Sequence, residues 1–421
     1  MTQSSEQPGG FRLDSIRQGS MSSGRTDIHE LALDLYLLEG FGNVGVAVTG
    51  EGVVVIDTGA PGSDVLARLR QVTQEPVRAI IYTHGHADHA ANAGRFLHEA
   101  AERGDPRPTI LAHTNVAKRM SRYAEQYGLQ AHINRIQFRI PEQLPAFPPD
   151  VAFVRPDMTF ETSMKFRLGR LSFELCHALG ETDDATWVYV PERRAIFSGD
   201  LVISSCPNIG NPLKVQRYEV EWAEALERMA ALHAEVLSPG HGSLLRGEAV
   251  EDTLLATARA LRYLHDEVVR RMNLGQWEEQ IVSEVALPPD LAAHPALAPI
   301  YGSPAFIVHA IYRRYGGWYY GNPTHLSPAR FADVAREVAL IAGVEPLLQR
   351  AEQLSQSGKH QLALHLLDFV IEGVEDADVK QRALYIKAAA LEHLAAVETS
   401  FISRSILSNS AERIKKQSIS G

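Results

Sequence analysis

Thr83-His84-Gly85-His86-Ala87-Asp88-His89 follows directly on the apolar run Arg78-Ala79-Ile80-Ile81-Tyr82. Four side chains able to ligate a metal stand within six residues at the end of a strand-like segment. A strand tip that turns sharply can aim alternate side chains at one point, and the small Gly85 and Ala87 leave room for them. Imidazole together with carboxylate suits zinc or a similar first-row ion. Single histidines are usually bland surface groups, but His-x-His-x-Asp-His behind a strand is far more specific. The stretch reads as a metal-binding loop.

Upstream, 31–38 and 44–48 read as strands joined by a turn at 39–43 that carries Gly40 and Gly42. The apolar segment 52–59 ends in Asp57-Thr58-Gly59, and helical periodicity over 63–74 leads into the strand at 78–82. This strand–helix–strand order ends at the metal loop. Asp57 is either a strand-end turn residue or a carboxylate that orients a metal-binding histidine. Downstream, 90–102 predicts a helix, 109–113 a strand, 115–130 a helix, and 141–150 a proline-rich loop that could form part of a lid. His113 and His132 are expected to face solvent or to be satisfied by hydrogen bonds rather than to bind metal.

Strand patterns return at 158–160, 171–177, 186–190 and 195–200, the last with Asp200 at its tip. Glu181 lies in the turn Gly180-Glu181-Thr182, and Val236-Leu237-Ser238-Pro239-Gly240-His241-Gly242 delivers another histidine after a strand. A catalytic dinuclear site needs two ions close together, bridged by water and usually a carboxylate. Seven candidates stand at strand ends: His84, His86, Asp88, His89, Glu181, Asp200 and His241. His177 is an alternative ligand.

With 421 residues the chain predicts two or three domains. A net charge of −10 without a basic block excludes nucleic acid as a partner, since phosphate binding needs clustered Lys and Arg. An acidic surface attracts no anionic substrate either, so recognition of an anion must be local to a pocket. Cys176 and Cys206 are too few for a disulfide framework and fit a reducing compartment. The Ser- and Gly-rich N-terminus lacks an apolar signal core, and no run is long enough to span a membrane. The expected location is cytoplasmic.

The His84–His89 motif is the signature of the metallo-β-lactamase fold, and the sequence resembles that superfamily. Most relatives carry histidine where Glu181 stands; glutamate there resembles the alkyl sulfatase branch. A second likeness lies far away, in Arg314-Tyr315-Gly316-Gly317-Trp318-Tyr319-Tyr320-Gly321-Asn322-Pro323 followed by Leu326-Ser327-Pro328. It looks like the segment that joins the catalytic and dimerisation regions of alkyl sulfatases.

The resemblance implies an α/β fold: a metallo-β-lactamase αββα sandwich followed by an all-α dimerisation domain. It implies two Zn2+ per subunit, one held by His84, His86 and Glu181, the other by Asp88, His89 and His241. Asp200 would bridge them, although the branch usually places glutamate there, and Asp57 would support the site. Asp88 and Asp200 are the implied catalytic carboxylates. The branch cradles its sulfate after the bridging carboxylate, where Asn208, Lys214 and Arg217 are the nearest equivalents; the other reading of 206–218 is a polar loop capping the next helix. The resulting expectation is a zinc-dependent hydrolase that cleaves alkyl sulfate esters to alcohol and sulfate. The alternative is hydrolysis of another ester class (carboxylic, phosphoric, lactone or thioester) on the same scaffold.

The expected division is a disordered tail at 1–25, a catalytic domain at 26–250, a helical connecting segment at 251–342 and a helical dimerisation domain at 343–421. Fuller members of the branch carry a further sterol-carrier-like domain, and this sequence stops before it. Gly358-Lys359-His360-Gln361-Leu362-Ala363-Leu364 resembles a tetratricopeptide hairpin, and one such unit cannot bury its apolar face alone. The predicted solution is a homodimer through the C-terminal helices. Residues 400–421 are expected to fray, and Trp318, Tyr319 and Tyr320 to fill a domain interface, line a substrate channel, or both.

Overall fold

Val53-Val54-Val55-Ile56 is buried at every position, as a strand covered on both faces must be. It is the fourth of seven strands in one sheet of the computed structural model, which describes residues 27–149 and 152–420. The tail expected at 1–25 lies outside the described residues. The sheet runs in chain order: β1 (Ile28–Ala32), β2 (Leu35–Leu38), β3 (Val44–Val48), β4 (Val53–Ile56), β5 (Val77–Ile81), β6 (Thr109–His113) and β7 (Met158–Phe160). Its first four strands pair antiparallel and its last four parallel.

The second sheet comprises β8 (Ser163–Leu168), β9 (Leu171–Ala178), β10 (Ala185–Val190), β11 (Ala195–Gly199), β12 (Val236–Pro239) and β13 (Leu245–Arg246), again side by side in sequence order. Only β11 and β12 in this sheet run parallel, and the helix Glu219–Ala230 lies between them in sequence.

Alternation of side chains sorts the strands' apolar residues into layers. Val54, Ile56, Ala79 and Ile81 of the first sheet pack against Phe173, Leu175, Val188 and Phe197 of the second. The opposite face of the first sheet, with Val53, Val55 and Ile80, meets Leu69, Phe96 and Met120 from three helices. The outer face of the second sheet packs on Glu219–Ala230, Glu248–Asn273 and Pro304–Tyr315 through Trp222, Leu226, Leu261 and Ile311. The result is the expected αββα sandwich.

The described residues form two compact units, one ending at Tyr315 and the other beginning at Gly316, so the segment expected at 251–342 is divided between them. The second unit is all helical: Phe331–Ala342, Val344–Gln356, His360–Gly373, Ala377–Val397 and Phe401–Ser420. Leu347, Leu348, Ala351, Leu367 and Val370 fill its core. Its surface leaves Leu340, Ile341, Tyr385 and Val397 more than two-thirds exposed. Trp318 and Tyr320 are exposed as well.

Two expectations change. The helix expected over 115–130 is two helices, Thr114–Glu125 and Tyr127–Phe138, broken where Gln126 leaves helical geometry. Within the run expected to fray, Phe401–Ser420 is a helix that buries Phe401, Ile402 and Ala411. Packing on a neighbouring helix outweighs its polar composition.

Candidate active site

All seven candidate ligands converge at one edge of the sandwich, each delivered by the turn after a strand or by the short helix Ala87–Ala90. Asp57 closes β4 in the left-handed region, at φ 64°. This places one carboxylate within reach of three groups of the following loop. Oδ1 accepts from Thr83 N at 2.7 Å, and Oδ2 from Thr83 Oγ1 at 2.7 Å and from His89 Nδ1 at 2.8 Å. With Nδ1 occupied, His89 presents Nε2 to the cluster. Asp57→Asn is expected to weaken metal affinity on the order of 10–100-fold. Titration against a chelator checks this, and unchanged affinity would remove Asp57 from the support of the site.

On the other flank, fully buried Asp184 accepts from Gly85 N at 3.1 Å and Arg119 Nε at 2.8 Å. Asp200 follows β11, and a Cβ on Gly240 would stand only 2.1 Å from its Oδ1. Glycine before His241 is therefore a steric requirement.

The distances inside the cluster are short. Asp200 Oδ1 lies 3.2 Å from His89 Nε2 and 3.3 Å from His241 Nε2, while Oδ2 lies 3.5 Å from His84 Nε2. Asp88 Oδ2 is 3.7 and 3.4 Å from the same His89 and His241 nitrogens. His84 Nε2 and His86 Nδ1 are 2.8 Å apart. Asp88, His89 and His241 form one tight group, His86, Glu181 and Asp200 a second, and His84 joins His89 and Asp200.

Donor chemistry and orphaned atoms both fit metal ions. Asp200 Oδ1 and Glu181 Oε2 are buried without a hydrogen bond, which is costly unless something else meets them. Burial, then His89, pushes His84 down to about 4, and burial, His84 and Arg119 push His86 well down too. Both are therefore neutral at pH 7, the form that ligates metal. Burial would raise Asp200, but the neighbouring His241, His89 and His84 hold it well below the usual carboxylate range. Burial lifts Glu181 to about 7, opposed by Arg217 and assisted by Asp200.

Asn208 and Arg217 both donate to Glu181 Oε1, Asn208 from 2.7 Å, and Arg217 also donates to Asn208 O. Those two residues, expected at the sulfate, thus also fix a candidate ligand. Lys214 lines the cavity beside them, its Nζ 3.4 Å from Asn134 Oδ1; burial, then Arg217, lowers it to about 8. His177 stays outside the cluster, stacked on His113 at 3.7 Å and bonded to Asp183 O. His113 is buried against Glu161 O, and His132 is exposed.

The cluster opens into a cavity of about 440 Å³ whose walls include Phe41, Leu129, Ile133, Phe138, Phe147 and Leu213. Part of that wall is the proline-rich loop expected as a lid segment. Sequence reasoning missed three contributors: the Phe41 turn, the Arg119–Asp184 pair, and Tyr301, whose hydroxyl accepts from Gln137 Nε2 at 2.6 Å. Only the first left a local signal, glycines and an asparagine in a turn.

Residues 37–241 match the family described as the metallo-beta-lactamase superfamily, and residues 278–417 the family described as alkyl sulfatase dimerisation. A linear primary-alkylsulfatase from Pseudomonas sp. is 30% identical over 359 residues, covering 79% of this chain and 68% of that protein. An alkyl/aryl-sulfatase of Saccharomyces cerevisiae is 25% identical over 317 residues, 69% of this chain and 48% of its own length. A stereoselective inverting sec-alkylsulfatase from Pseudomonas sp. superposes with a TM-score of 0.82 at 19% identity, over 96% of this chain and 70% of that one.

Proposed function

The chain belongs to the alkylsulfatase family of the metallo-β-lactamase superfamily, and on that footing we propose that it hydrolyses alkyl sulfate esters to alcohol and sulfate at a site for two zinc ions. The observation that carries this reading is the junction of two chemistries in one cavity. Its lining brings His86, Asp88, Glu181, Asp200 and His241 together with Asn208 and Arg217, and its walls are mostly apolar. An anionic head on an aliphatic tail matches both ends at once.

His84, His86 and Glu181 would hold one ion, Asp88, His89 and His241 the other, with Asp200 between them. Two such ions supply Lewis acidity and a water that ionises near neutral pH. Asp88 and Asp200, as carboxylates beside both candidate ions, would accept the proton side of such a water's hydrogen bonds and so orient it. Arg217 keeps a guanidinium at the inner end, where it offsets the charge of the sulfate. Lys214 stands along the wall with a lowered affinity for its proton yet largely cationic at pH 7, and adds to the same field. Asn208 holds Glu181 in place through Nδ2, whose second N–H would serve the sulfate. Phe138, Ile133 and Leu213 exclude water from the tail.

The dimerisation-family match and the exposed Leu340, Ile341 and Val397 support a homodimer through the C-terminal helices. No described helix is long and apolar enough to cross a membrane. The two free cysteines favour the cytoplasm.

The test is product release from a panel of alkyl and aryl sulfates beside carboxylic, phosphate and thioester substrates, with His84→Ala as control. Sulfate release by the wild type, lost in the control, is expected. Silence on every sulfate with turnover of another ester would reassign the substrate, a reading favoured by Asp200 in place of the branch's usual glutamate.

A further inference from the structure

We infer that residues 40–43, the turn between β2 and β3, are a positioning strap for the half of the site formed by Asp88, His89 and His241, with Asn43 as its anchor. The inference rests on the two-ion reading above. Asn43 is only 4% exposed, and its backbone N, Nδ2 and Oδ1 are each engaged. Its backbone N donates to Gly240 O at 2.9 Å, and Nδ2 donates to Pro239 O at 3.0 Å and Gly242 O at 2.9 Å. Its Oδ1 accepts from Gly40 N at 3.1 Å. The three carbonyls it holds lie on both sides of His241 in the chain.

Two residues back, Phe41 O contacts His241 Nδ1. A carbonyl can only accept, so Nδ1 carries a proton and the ring turns Nε2 toward the cluster as its ligating atom. That Nε2 is the atom 3.4 Å from Asp88 and 3.3 Å from Asp200. Gly42 touches the second member of the group: a Cβ there would stand 2.3 Å from Asp88 O. Buried Arg68 secures the start of the strap by donating to Glu39 O at 2.6 Å. The His84–His86 loop is held differently, by Asp57 through Thr83 and by Asp184 through Gly85.

The strap also joins the metal end to the tail end. The Phe41 ring packs edge-on against His241 at 5.5 Å and Phe138 at 6.3 Å, and forms part of the cavity wall. Asn43→Ala strands the Pro239 and Gly242 carbonyls, whose unmet acceptors destabilise this one turn.

Elemental analysis and chelator titration of the purified holoenzyme test the inference. Wild type is expected to hold two metal equivalents. Asn43→Ala should keep one at wild-type affinity and bind the second on the order of 10–100-fold more weakly. Gly42→Ala should show the same selective loss, which covers an Asn43→Ala protein that fails to fold. Phe41→Leu retains the backbone carbonyl and should keep both equivalents. If the folded variant at 43, or failing that at 42, keeps both metals at wild-type affinity or loses both in parallel, the inference is overturned alone. Wild-type protein that takes up fewer than two equivalents overturns the two-ion reading and this inference with it.

Discussion

Asp200→Ala is expected to lower sulfate release on the order of 10³-fold or more, the scale at which electrostatic stabilisation of a reacting centre is lost. Among the described residues, Asp200 is the one carboxylate within 3.5 Å of histidines from both halves of the cluster: His84 on one side, His89 and His241 on the other. Alanine would leave those nitrogens without the anion that draws them together, and metal uptake should fall with activity. Asp200→Glu, the residue usual in the branch, lengthens the arm but keeps the charge, and should retain part of both. Steady-state kinetics with metal analysis on the same preparations decide it. Wild-type turnover in Asp200→Ala would remove the bridge from the account.

The second large effect belongs to Arg217. Its guanidinium is buried, donates to Glu181 Oε1 and to Asn208 O, and lines the inner end of the cavity. Arg217→Ala is expected to reduce kcat/KM on the order of 10²–10³-fold. Arg217→Lys should recover part of the activity, because a single nitrogen, Nη1, makes both contacts and an ammonium keeps the charge on a shorter arm. Alkyl sulfate and carboxylic ester should respond differently: the first loses charge compensation, while the second carries no sulfate to compensate. An equal loss on both esters would reduce Arg217 to a holder of Glu181.

The parts of this site legible in sequence are those where strand and ligand are contiguous. Val77–Ile81 runs straight into His84–His89, and β4 ends directly in Asp57, so one short window contains both the scaffold and the chemistry. Glu181, Asp200 and His241 were legible for the same reason, as polar tips on apolar strands. What the sequence hid lies between windows. Asn208 and Arg217 reach Glu181 across 27 and 36 residues, and Asn43 reaches Pro239 across 196. No periodicity encodes such contacts; they exist only once the sheets have stacked. The break at Gln126 and the helix Phe401–Ser420 were missed differently, since local composition and tertiary packing favour opposite answers there.

The most direct measurement is a titration of metal-free protein with zinc, following sulfate release from a medium-chain alkyl sulfate as each equivalent is added. Negligible release is expected without metal, and a plateau when two equivalents per subunit are bound. Sulfate release from verified metal-free protein, or none at full occupancy while another ester is turned over, would contradict that expectation.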